Sequence, residues 1–284
     1  MIKWAFSFRT WQPTRSEWMF CGQCIQSEEK DRIQRFVFKK DAKAAMIGRL
    51  LIRKAIADCL HIPCTEIKLG RTERGKPFLE NSGQEDFSFN VSHHGDYAVL
   101  AATKDGLVGV DVMKYEVKTS VPNFFHTMRR QFTDSEWIQI RKSAEESEQL
   151  KTFYRLWCLK ESYVKALGTG IGYDLSKLNF EFKMDFLQEN KVTTDTKLRV
   201  YEEDLSEWTF EEHSLDNHCI VVAKNQKTQS SSGNETDENP CSFKLLSLED
   251  LLEKASPISD PDERFWENFH LKDEAPQIKQ KNSE

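Results

Sequence analysis

The sequence predicts an α+β fold built from two similar halves. Each half has a long helix pattern, then a loop that contains glycine, then strand patterns that end in an apolar run. These apolar runs are Asp96–Ala102 and Asn217–Ala223. Because each half would bury its helix against its own strands, we expect a cleft between the two copies.

Length and composition are those of a globular protein. The 284 residues can form one large core or two small ones, and 38% of them are hydrophobic. No stretch approaches the roughly 18 apolar residues of a membrane span, and the N-terminus lacks a secretory signal pattern. Seven cysteines, an odd number, suggest reduced thiols. The thiols and the missing signal therefore favour a cytosolic protein. We also expect a monomer with no membrane or nucleic-acid partner.

The net charge of −6 lies in the C-terminal tail. Residues 226–284 hold thirteen acidic and seven basic side chains, so residues 1–225 are neutral overall. Inside the neutral part, Lys30–Lys54 has nine basic against two acidic residues. This basic segment could serve a polyanionic ligand or an acidic partner, but composition alone favours a solvated helix face.

The first half, residues 1–115, contains three helix signals and several strand signals. Helices are predicted to start near Pro13 and at Ser27, and Asp41 is expected to cap a long helix that ends before His61. The predicted strands are Ile2–Phe8, Glu66–Leu69, Phe87–Ser92, Tyr97–Ala102 and Leu107–Met113. We expect the last two strands to pair as a hairpin that turns at Lys104–Gly106.

The second half, residues 116–225, and the tail continue the pattern. Thr133 and Glu136 have capping-box spacing, and Leu150–Leu167 reads as a long helix that ends in glycines. The predicted strands are Leu178–Phe182, Leu198–Tyr201, Trp208–Glu211 and His218–Ala223. In the tail, 226–240 reads as a flexible linker, Phe243–Ala255 as a strand and a helix, and the rest as loosely ordered.

Several side chains have the chemistry of a phosphate and metal site. Arg71, Arg74, Lys76, Ser92 and His93 supply cationic or polar groups at two predicted loop tips. Asp111 lies on the strand face opposite the valines, beside Gly109. Trp157, Glu161 and Lys165 recur every four residues on one helix face. Asp111 and Glu161 could together hold Mg²⁺, although a solvated Glu–Lys pair beside a core tryptophan is the alternative for the helix.

The pair Cys21 and Cys24 has the spacing of a zinc or redox site. No second cysteine pair and no nearby ligand histidine accompany it. The sequence therefore favours two ordinary thiols.

Four motifs in a fixed order resemble those of the 4'-phosphopantetheinyl transferases. They are Arg74–Pro77, Phe89–His93, Val108–Val112 and Trp157–Lys165. The resemblance is to the large, pseudo-dimeric, surfactin-synthetase type, and Asp41–Met46 and Phe153–Arg155 resemble its animal members. It covers roughly residues 1–225.

The resemblance implies transfer of the phosphopantetheine arm of coenzyme A to a serine of an acyl or peptidyl carrier protein. Adenosine 3',5'-bisphosphate would leave. The implied acceptors are carrier domains of fatty acid synthase, a mitochondrial-type carrier protein and aminoadipate-semialdehyde dehydrogenase. The active site would lie in the cleft of the pseudo-dimer, and the implied pathways are fatty acid synthesis and lysine degradation.

The resemblance also assigns roles to residues. Asp111 and Glu161 would hold Mg²⁺ against the pyrophosphate, Lys165 would neutralise or protonate the leaving group, and Glu161 would be the base, directly or through a water. The coenzyme A site would comprise these three together with Arg32, Arg71, Thr72, Glu73, Arg74, Gly75, Lys76, Asn90, Val91, Ser92, His93, Ser162, Tyr163 and Val164.

One position departs from the family pattern. Many relatives carry a carboxylate two residues after the aspartate, where this chain has Met113. A thioether is a poor ligand for a hard cation, so water or another group such as His94 would complete the site, although His94 is more simply a turn residue. Two other functions stay open: a catalytically silent coenzyme A-binding module that presents carrier proteins, and an interaction scaffold built on the basic helices.

Overall fold

The computed structural model describes residues 1–80, 87–201, 203–225 and 242–276. It contains two similar α+β halves and a C-terminal segment, residues 242–276, that packs back on the first half. We call this segment the C-terminal strap. The predicted linker over 226–240 lies outside the described residues.

The first half contributes three strands to a four-stranded sheet, which helices cover and to which the strap adds the fourth strand, parallel to the first. Strand β1 pairs with β5, and β5 pairs with β4, all antiparallel. Its elements are β1 (Ile2–Ser7), α1 (Arg15–Gln23), α2 (Ser27–Gln34), α3 (Lys39–Leu60), β2 (Leu69–Arg71), β3 (Pro77–Leu79), β4 (Ser88–His94) and β5 (Tyr97–Thr103).

The second half repeats this arrangement. Strand β6 pairs with β11, and β11 pairs with β10, all antiparallel. Its elements are β6 (Leu107–Lys114), α4 (Val121–Met128), α5 (Asp134–Ile140), α6 (Glu146–Leu167), β7 (Leu178–Glu181), β8 (Lys197–Val200), β9 (Glu203–Asp204), β10 (Trp208–Leu215) and β11 (His218–Asn225). The strap adds β12 (Lys244–Leu245), α7 (Leu248–Leu252) and α8 (Glu263–His270).

The two sheets pack face to face between the long helices. Val99 and Ala101 of β5 contact Val110 of β6 and Ile220 of β11 in a buried apolar layer. Helix α3 covers the outer face of the first sheet, and α6 covers that of the second. None of the described helices combines the length and apolar character that a bilayer crossing requires.

The predicted hairpin between β5 and β6 is wrong. Strand β6 pairs with β11 in the second sheet, whereas β5 pairs with β1 and β4 in the first. The turn at Lys104–Gly106 therefore connects the two halves. The boundary near residue 115 stays a prediction, although strand pairing joins β6 to the second half.

Three predicted element boundaries also change. Helix α3 begins at Lys39, so Asp41 lies in its first turn and makes no capping bond. The residues Cys64–Glu66 form a 3₁₀ turn, and the strand predicted from Glu66 begins only at Leu69. Helix α6 begins four residues earlier than expected, at Glu146, and ends as predicted at Leu167, followed by the C-cap Gly168 with φ 68°.

Helix α6 lies directly against β6 at Gly109. A Cβ atom there would come within 2.0 Å of the Ser162 carbonyl oxygen and 2.5 Å of the Ala166 nitrogen. Both are backbone atoms of α6, so no side-chain rotation would relieve the clash. Glycine is therefore required for the closest contact between the strand that carries Asp111 and the helix that carries Glu161.

We predict that Gly109→Ala destabilises the protein by about 1–3 kcal/mol, because α6 must move away from β6. Urea unfolding measures the change. Gly172→Ala is the matched control, since no atom lies within 4 Å of a Cβ built there. Equal stability of the two variants would contradict the tight contact at Gly109.

The C-terminal strap belongs to the core of the first half. Trp18 stacks on Phe265 and Phe269, with ring centroids 5.4 and 3.7 Å apart. All three side chains are buried. The expectation that the chain after Ala255 is loosely ordered is therefore wrong for α8, whose apolar face completes this aromatic cluster.

The strap also satisfies the N-terminus of α3. The backbone N–H groups of Lys39 and Lys40 donate to the carbonyl oxygens of Asp273 and Glu274, at 2.8 and 3.1 Å. These two donors lie in the first turn, where a helix has no internal acceptors. A segment far away in the sequence thus supplies the cap that Asp41 does not.

Acidic strap residues pair with the basic segment. The Lys54 ammonium lies 3.2 Å from Glu253, and that of Lys43 lies 3.4 Å from Glu274. The tail's negative charge is therefore partly neutralised by lysines within the same molecule. Less of the basic segment remains free to attract an acidic partner than composition suggests.

We predict that Phe269→Ala lowers the unfolding free energy by about 3–5 kcal/mol, because it removes a buried ring from this cluster. Thermal and urea unfolding report the loss. Leu271→Ala, two residues later and 84% exposed, is the control and is expected to be neutral. A neutral Phe269→Ala would show that the strap is not docked in solution.

Candidate active site

The candidate site lies where β4, an edge strand of the first sheet, meets β6, an edge strand of the second sheet. Side chains of β4 accept hydrogen bonds from backbone N–H groups of β6, in place of ordinary strand pairing. The pairs are Ser88–Val108 at 3.2 Å, Asn90–Val110 at 2.9 Å and His94–Lys114 at 3.0 Å. This seam joins the two halves and sets Ser92 beside Asp111.

Asp111, Ser92 and Lys165 form one hydrogen-bonded cluster. The Ser92 hydroxyl donates to Asp111 Oδ1 at 2.8 Å, and the Lys165 ammonium lies 2.5 Å from the same oxygen and 2.8 Å from the hydroxyl. Asp111 is buried. The structure thus brings together Ser92 of β4, Asp111 of β6 and Lys165 of α6, which the sequence analysis assigned to one site.

The second oxygen of Asp111 and the Glu161 carboxylate form the negative side of the cluster. Asp111 Oδ2 is buried and has no hydrogen-bond partner among the described residues. Burial, and then the charge of Asp111, raises the pKa of Glu161, while Lys165 lowers it. Two carboxylates that repel each other in a desolvated place are stabilised by a cation.

These observations fit a divalent cation held by Asp111 and Glu161. In the described ranges, no group of three or more His, Cys, Asp or Glu side chains could hold a metal ion. Met113 packs on the core of the second half, and His94 uses Nδ1 to accept the Lys114 N–H. Water and substrate oxygens would complete the shell, as is usual for Mg²⁺.

His93 lies at the solvent-exposed edge of the cluster. Desolvation by the surrounding protein, and then repulsion from Lys165 and Arg49, lowers the pKa of its imidazole. In its neutral form the imidazole could donate one hydrogen bond to a phosphate oxygen.

The basic loop Arg71–Pro77 is docked on the end of α6. The Lys76 ammonium donates to the carbonyl oxygens of Lys165 and Ala166, at 3.0 and 3.2 Å, and Arg74 donates to that of Thr169. These cations complement the negative end of the helix dipole. The loop thus fixes the helix turn that carries Lys165, a role that the phosphate-binding prediction for Lys76 did not include.

The loop itself closes as a tight turn. The Lys76 N–H donates to Thr72 Oγ1, and the Gly75 N–H donates to the Thr72 carbonyl. Gly75 has φ 82°, a conformation that favours glycine. Glu73 is exposed at the tip.

Arg32 and Arg71 line a groove of about 920 Å³ at the start of this loop. Arg71 Nη2 makes two bonds to the Glu29 carboxylate, at 2.8 and 3.0 Å. Ile258 and Ser259 of the strap form part of the groove wall, and the buried Lys30 donates to Ser259 Oγ at 2.6 Å. The strap therefore borders the groove as well as the core.

Some predicted site residues face away from the cleft. Tyr163 and Val164 are buried in the core of the second half, where Tyr163 packs edge-on against Trp208. The Ser162 hydroxyl donates to Leu159 within its own helix, and Val91 packs on the core of the first half. The structure does not bring these side chains to the cluster, and their assignment to coenzyme A stays a prediction.

Three further residues that the sequence analysis singled out also lie in the cores of the two halves. Trp157 packs on the second core and stacks on Phe153, with ring centroids 6.4 Å apart. Cys21 and Cys24 are buried in the first core, and burial raises the pKa of each thiol, to about 11 for Cys24.

Comparison with known proteins identifies the family. A model described as the N-terminal part of 4'-phosphopantetheinyl transferase matches residues 9–105, and one described as the 4'-phosphopantetheinyl transferase superfamily matches residues 107–223. The chain belongs to the 4'-phosphopantetheinyl transferases. The two matches meet at the turn before β6, where strand pairing also divides the halves.

Animal proteins are among the similar relatives. The chain is 45% identical over 283 residues to the L-aminoadipate-semialdehyde dehydrogenase-phosphopantetheinyl transferase of Xenopus laevis, covering 97% of this chain and 93% of that protein. The corresponding human protein is 43% identical over 286 residues, with the same coverage. The 4'-phosphopantetheinyl transferase of Bacillus subtilis is 30% identical over 161 residues, covering 57% of this chain and 68% of that protein.

Family membership confirms the predicted activity. The protein is a phosphopantetheinyl transferase that uses coenzyme A and modifies carrier proteins. The comparisons give no support to the catalytically silent alternative. Sequence reasoning assigned no role to Glu29 and Arg49, which lie beside each other next to Arg71. The excess of basic residues on α2 and α3 pointed to Arg49, and no sequence signal pointed to Glu29.

Proposed function

We propose that this transferase acts with Mg²⁺ held by Asp111 and Glu161. The observation that supports this assignment is the buried Asp111 Oδ2, which has no partner among the described residues and lies beside a carboxylate whose pKa is raised. Bound there, Mg²⁺ would neutralise the pyrophosphate oxygens of coenzyme A.

The reaction joins the serine oxygen of a carrier domain to the phosphorus that bears the pantetheine arm. The bridging P–O bond breaks, and adenosine 3',5'-bisphosphate leaves. Catalysis of such transfers rests on positioning and on charge neutralisation. A site held rigidly between two sheets and a helix suits that task.

Each residue of the cluster has a distinct part. Glu161, with its raised pKa, accepts the serine proton. Lys165 approaches from the end of α6 that the basic loop fixes, and it neutralises charge on the leaving bisphosphate. Ser92 bonds both Asp111 and Lys165 and so keeps the two charges in position.

The acceptor that we propose first is the carrier domain of aminoadipate-semialdehyde dehydrogenase. The animal relatives carry that enzyme in their names. Carrier domains of fatty acid synthase and a mitochondrial-type carrier protein are further acceptors in this proposal. We also propose that the protein works as a cytosolic monomer, in lysine degradation and fatty acid synthesis.

We predict that the purified protein adds one phosphopantetheine to each of these apo carrier domains when coenzyme A and Mg²⁺ are present. Intact-protein mass spectrometry detects the mass gain and the released bisphosphate. Chelation of divalent cations should stop the reaction, and Mg²⁺ should restore it. Unchanged turnover after chelation would contradict the metal assignment, and no mass gain on one carrier would remove that carrier from the proposal.

We predict that Asp111→Asn and Glu161→Gln each lower the transfer rate by about 100-fold or more, because each removes charge at the reacting phosphate. Steady-state labelling of an apo carrier measures the rate. Asp185→Asn removes a carboxylate that pairs with Lys142 at the surface, so it serves as the control. Near-normal rates in both site variants would overturn the assigned roles.

A further inference from the structure

The loop between α7 and α8 of the strap places an exposed serine against a buried lysine. Ser259 is exposed, and the Lys30 ammonium of α2 donates to its hydroxyl oxygen at 2.6 Å. Lys30 is only 8% exposed. Among the described residues, this hydroxyl is the one hydrogen-bond or ion-pair partner of the ammonium. Since buried charges are normally paired with opposite charges, Lys30 lacks a negative partner.

The backbone around Ser259 is held against α1. The Ile258 N–H donates to the Gln23 carbonyl oxygen at 2.8 Å, and the Gln23 side-chain amide donates to the Ser259 carbonyl oxygen at 3.3 Å. Both bonds use backbone groups of the strap, so they do not involve the Ser259 hydroxyl. A group attached to that oxygen would therefore lie beside the same ammonium.

The residues after Ser259 form the charge pattern that acid-directed serine kinases recognise. Asp260, Asp262 and Glu263 follow the serine by one, three and four positions. Kinases of this class select carboxylates there, because basic side chains of the kinase pair with them. An exposed serine with this pattern is a chemically suitable acceptor of a phosphoryl group.

Ser247 is a useful contrast within the strap. It is the other strap serine with a carboxylate three residues later, Asp250. Its hydroxyl caps α7 and donates to the Asp250 carboxylate at 2.8 Å. A phosphate on Ser247 would therefore meet a negative charge, whereas a phosphate on Ser259 would meet the Lys30 ammonium.

We propose that Ser259 is a phosphorylation site and that its phosphate pairs with Lys30. An acid-directed serine kinase supplies the phosphoryl group from ATP. The serine oxygen bonds to the γ-phosphorus, the bond from that phosphorus to the bridging oxygen of ADP breaks, and a base of the kinase takes the hydroxyl proton. Phosphoserine carries a charge of about −1.5 to −2 at pH 7, which gives the buried ammonium an ion-pair partner.

The phosphate also changes the groove beside the strap. Ser259 forms part of its wall, together with Arg32 and Arg71. Glu28 and Asp31 line the same groove, so little positive charge is left to offset a new anion. The phosphate therefore repels the phosphates of coenzyme A. This effect rests on the proposed function, because the family resemblance assigns both arginines to coenzyme A.

Mapping tests the modification itself. The folded full-length protein is incubated with ATP, Mg²⁺ and an acid-directed serine kinase, and tandem mass spectrometry locates the phosphate. Ser259 should be phosphorylated, and Ser259→Ala should remove that site alone. A free peptide of residues 254–267 is the positive control. An unmodified peptide would overturn the recognition of this pattern, and an unmodified Ser259 in the protein would overturn its accessibility.

Thermal unfolding tests the pairing with Lys30. Phosphoserine is introduced at position 259 during translation, in the wild-type chain and in Lys30→Gln. The phosphate should raise the Tm of the wild-type protein by about 2–4 °C and should not raise that of Lys30→Gln. Phosphoserine at position 247 should lower the Tm, because Asp250 repels it. Equal shifts at position 259 with and without Lys30 would overturn the pairing.

A second measurement does not depend on the folding of Lys30→Gln. Phosphorus NMR follows the second ionisation of the phosphoserine in the full-length protein and in the phosphorylated peptide. A neighbouring ammonium favours the dianion, so the second pKa of the phosphate should be lower in the protein. An equal or higher pKa in the protein would contradict the ion pair.

Kinetics tests the effect on the transferase. Phosphorylation of Ser259 should raise the KM for coenzyme A by about 3- to 10-fold with little change in kcat, and added salt should reduce the difference. An unchanged KM would overturn the regulatory effect. If the unmodified protein transfers nothing, the proposed function is refuted, while the mapped phosphate and the Tm shift still judge the site at Ser259.

Discussion

The contact between α6 and β6 at Gly109 is the constraint on which the rest of the site depends. No side chain separates the strand from the helix there, and a Cβ would lie 2.0 Å from a backbone oxygen. Because the two backbones touch, Asp111, two residues along the strand, lies beside side chains of the same helix. The 2.5 Å contact between Lys165 and Asp111 follows from this approach.

The site is also an interface between the two halves. Residues of β4 bond to backbone groups of β6, and the basic loop of the first half binds the last carbonyls of α6 in the second. A deeper ion pair, between the buried Lys3 of β1 and Glu211 of β10, joins the same two halves at 2.5 Å. Several bonds across one seam hold the carboxylates and the ammonium at fixed distances, which is what phosphoryl transfer requires.

Charge is distributed so that opposite groups meet within the molecule. Acidic residues of the strap neutralise lysines on α3, and its carbonyls cap that helix. The arginines around Glu29 are different, since they share one carboxylate, and Arg49 Nη1 has no partner within the part of the chain that the structure describes. A body with no net charge can therefore still carry a local excess of positive charge, here around Glu29.

The sequence by itself determined the features that depend on neighbours along the chain. Period-two and period-four patterns located β6, its two faces and the α6 row of Trp157, Glu161 and Lys165, and the motif resemblance identified the family. These inferences held because side-chain direction in a strand or helix is fixed by local geometry.

The tertiary structure decided everything that depends on distant partners. Strand β6 pairs with β11 and not with its neighbour β5, and Asp273 and Glu274 cap a helix more than two hundred residues earlier. Lys76 binds helix carbonyls, while the buried Arg49 lacks a full set of acceptors among the described residues. No local pattern encodes these outcomes, because each is set by which surfaces the packed sheets and the strap bring together.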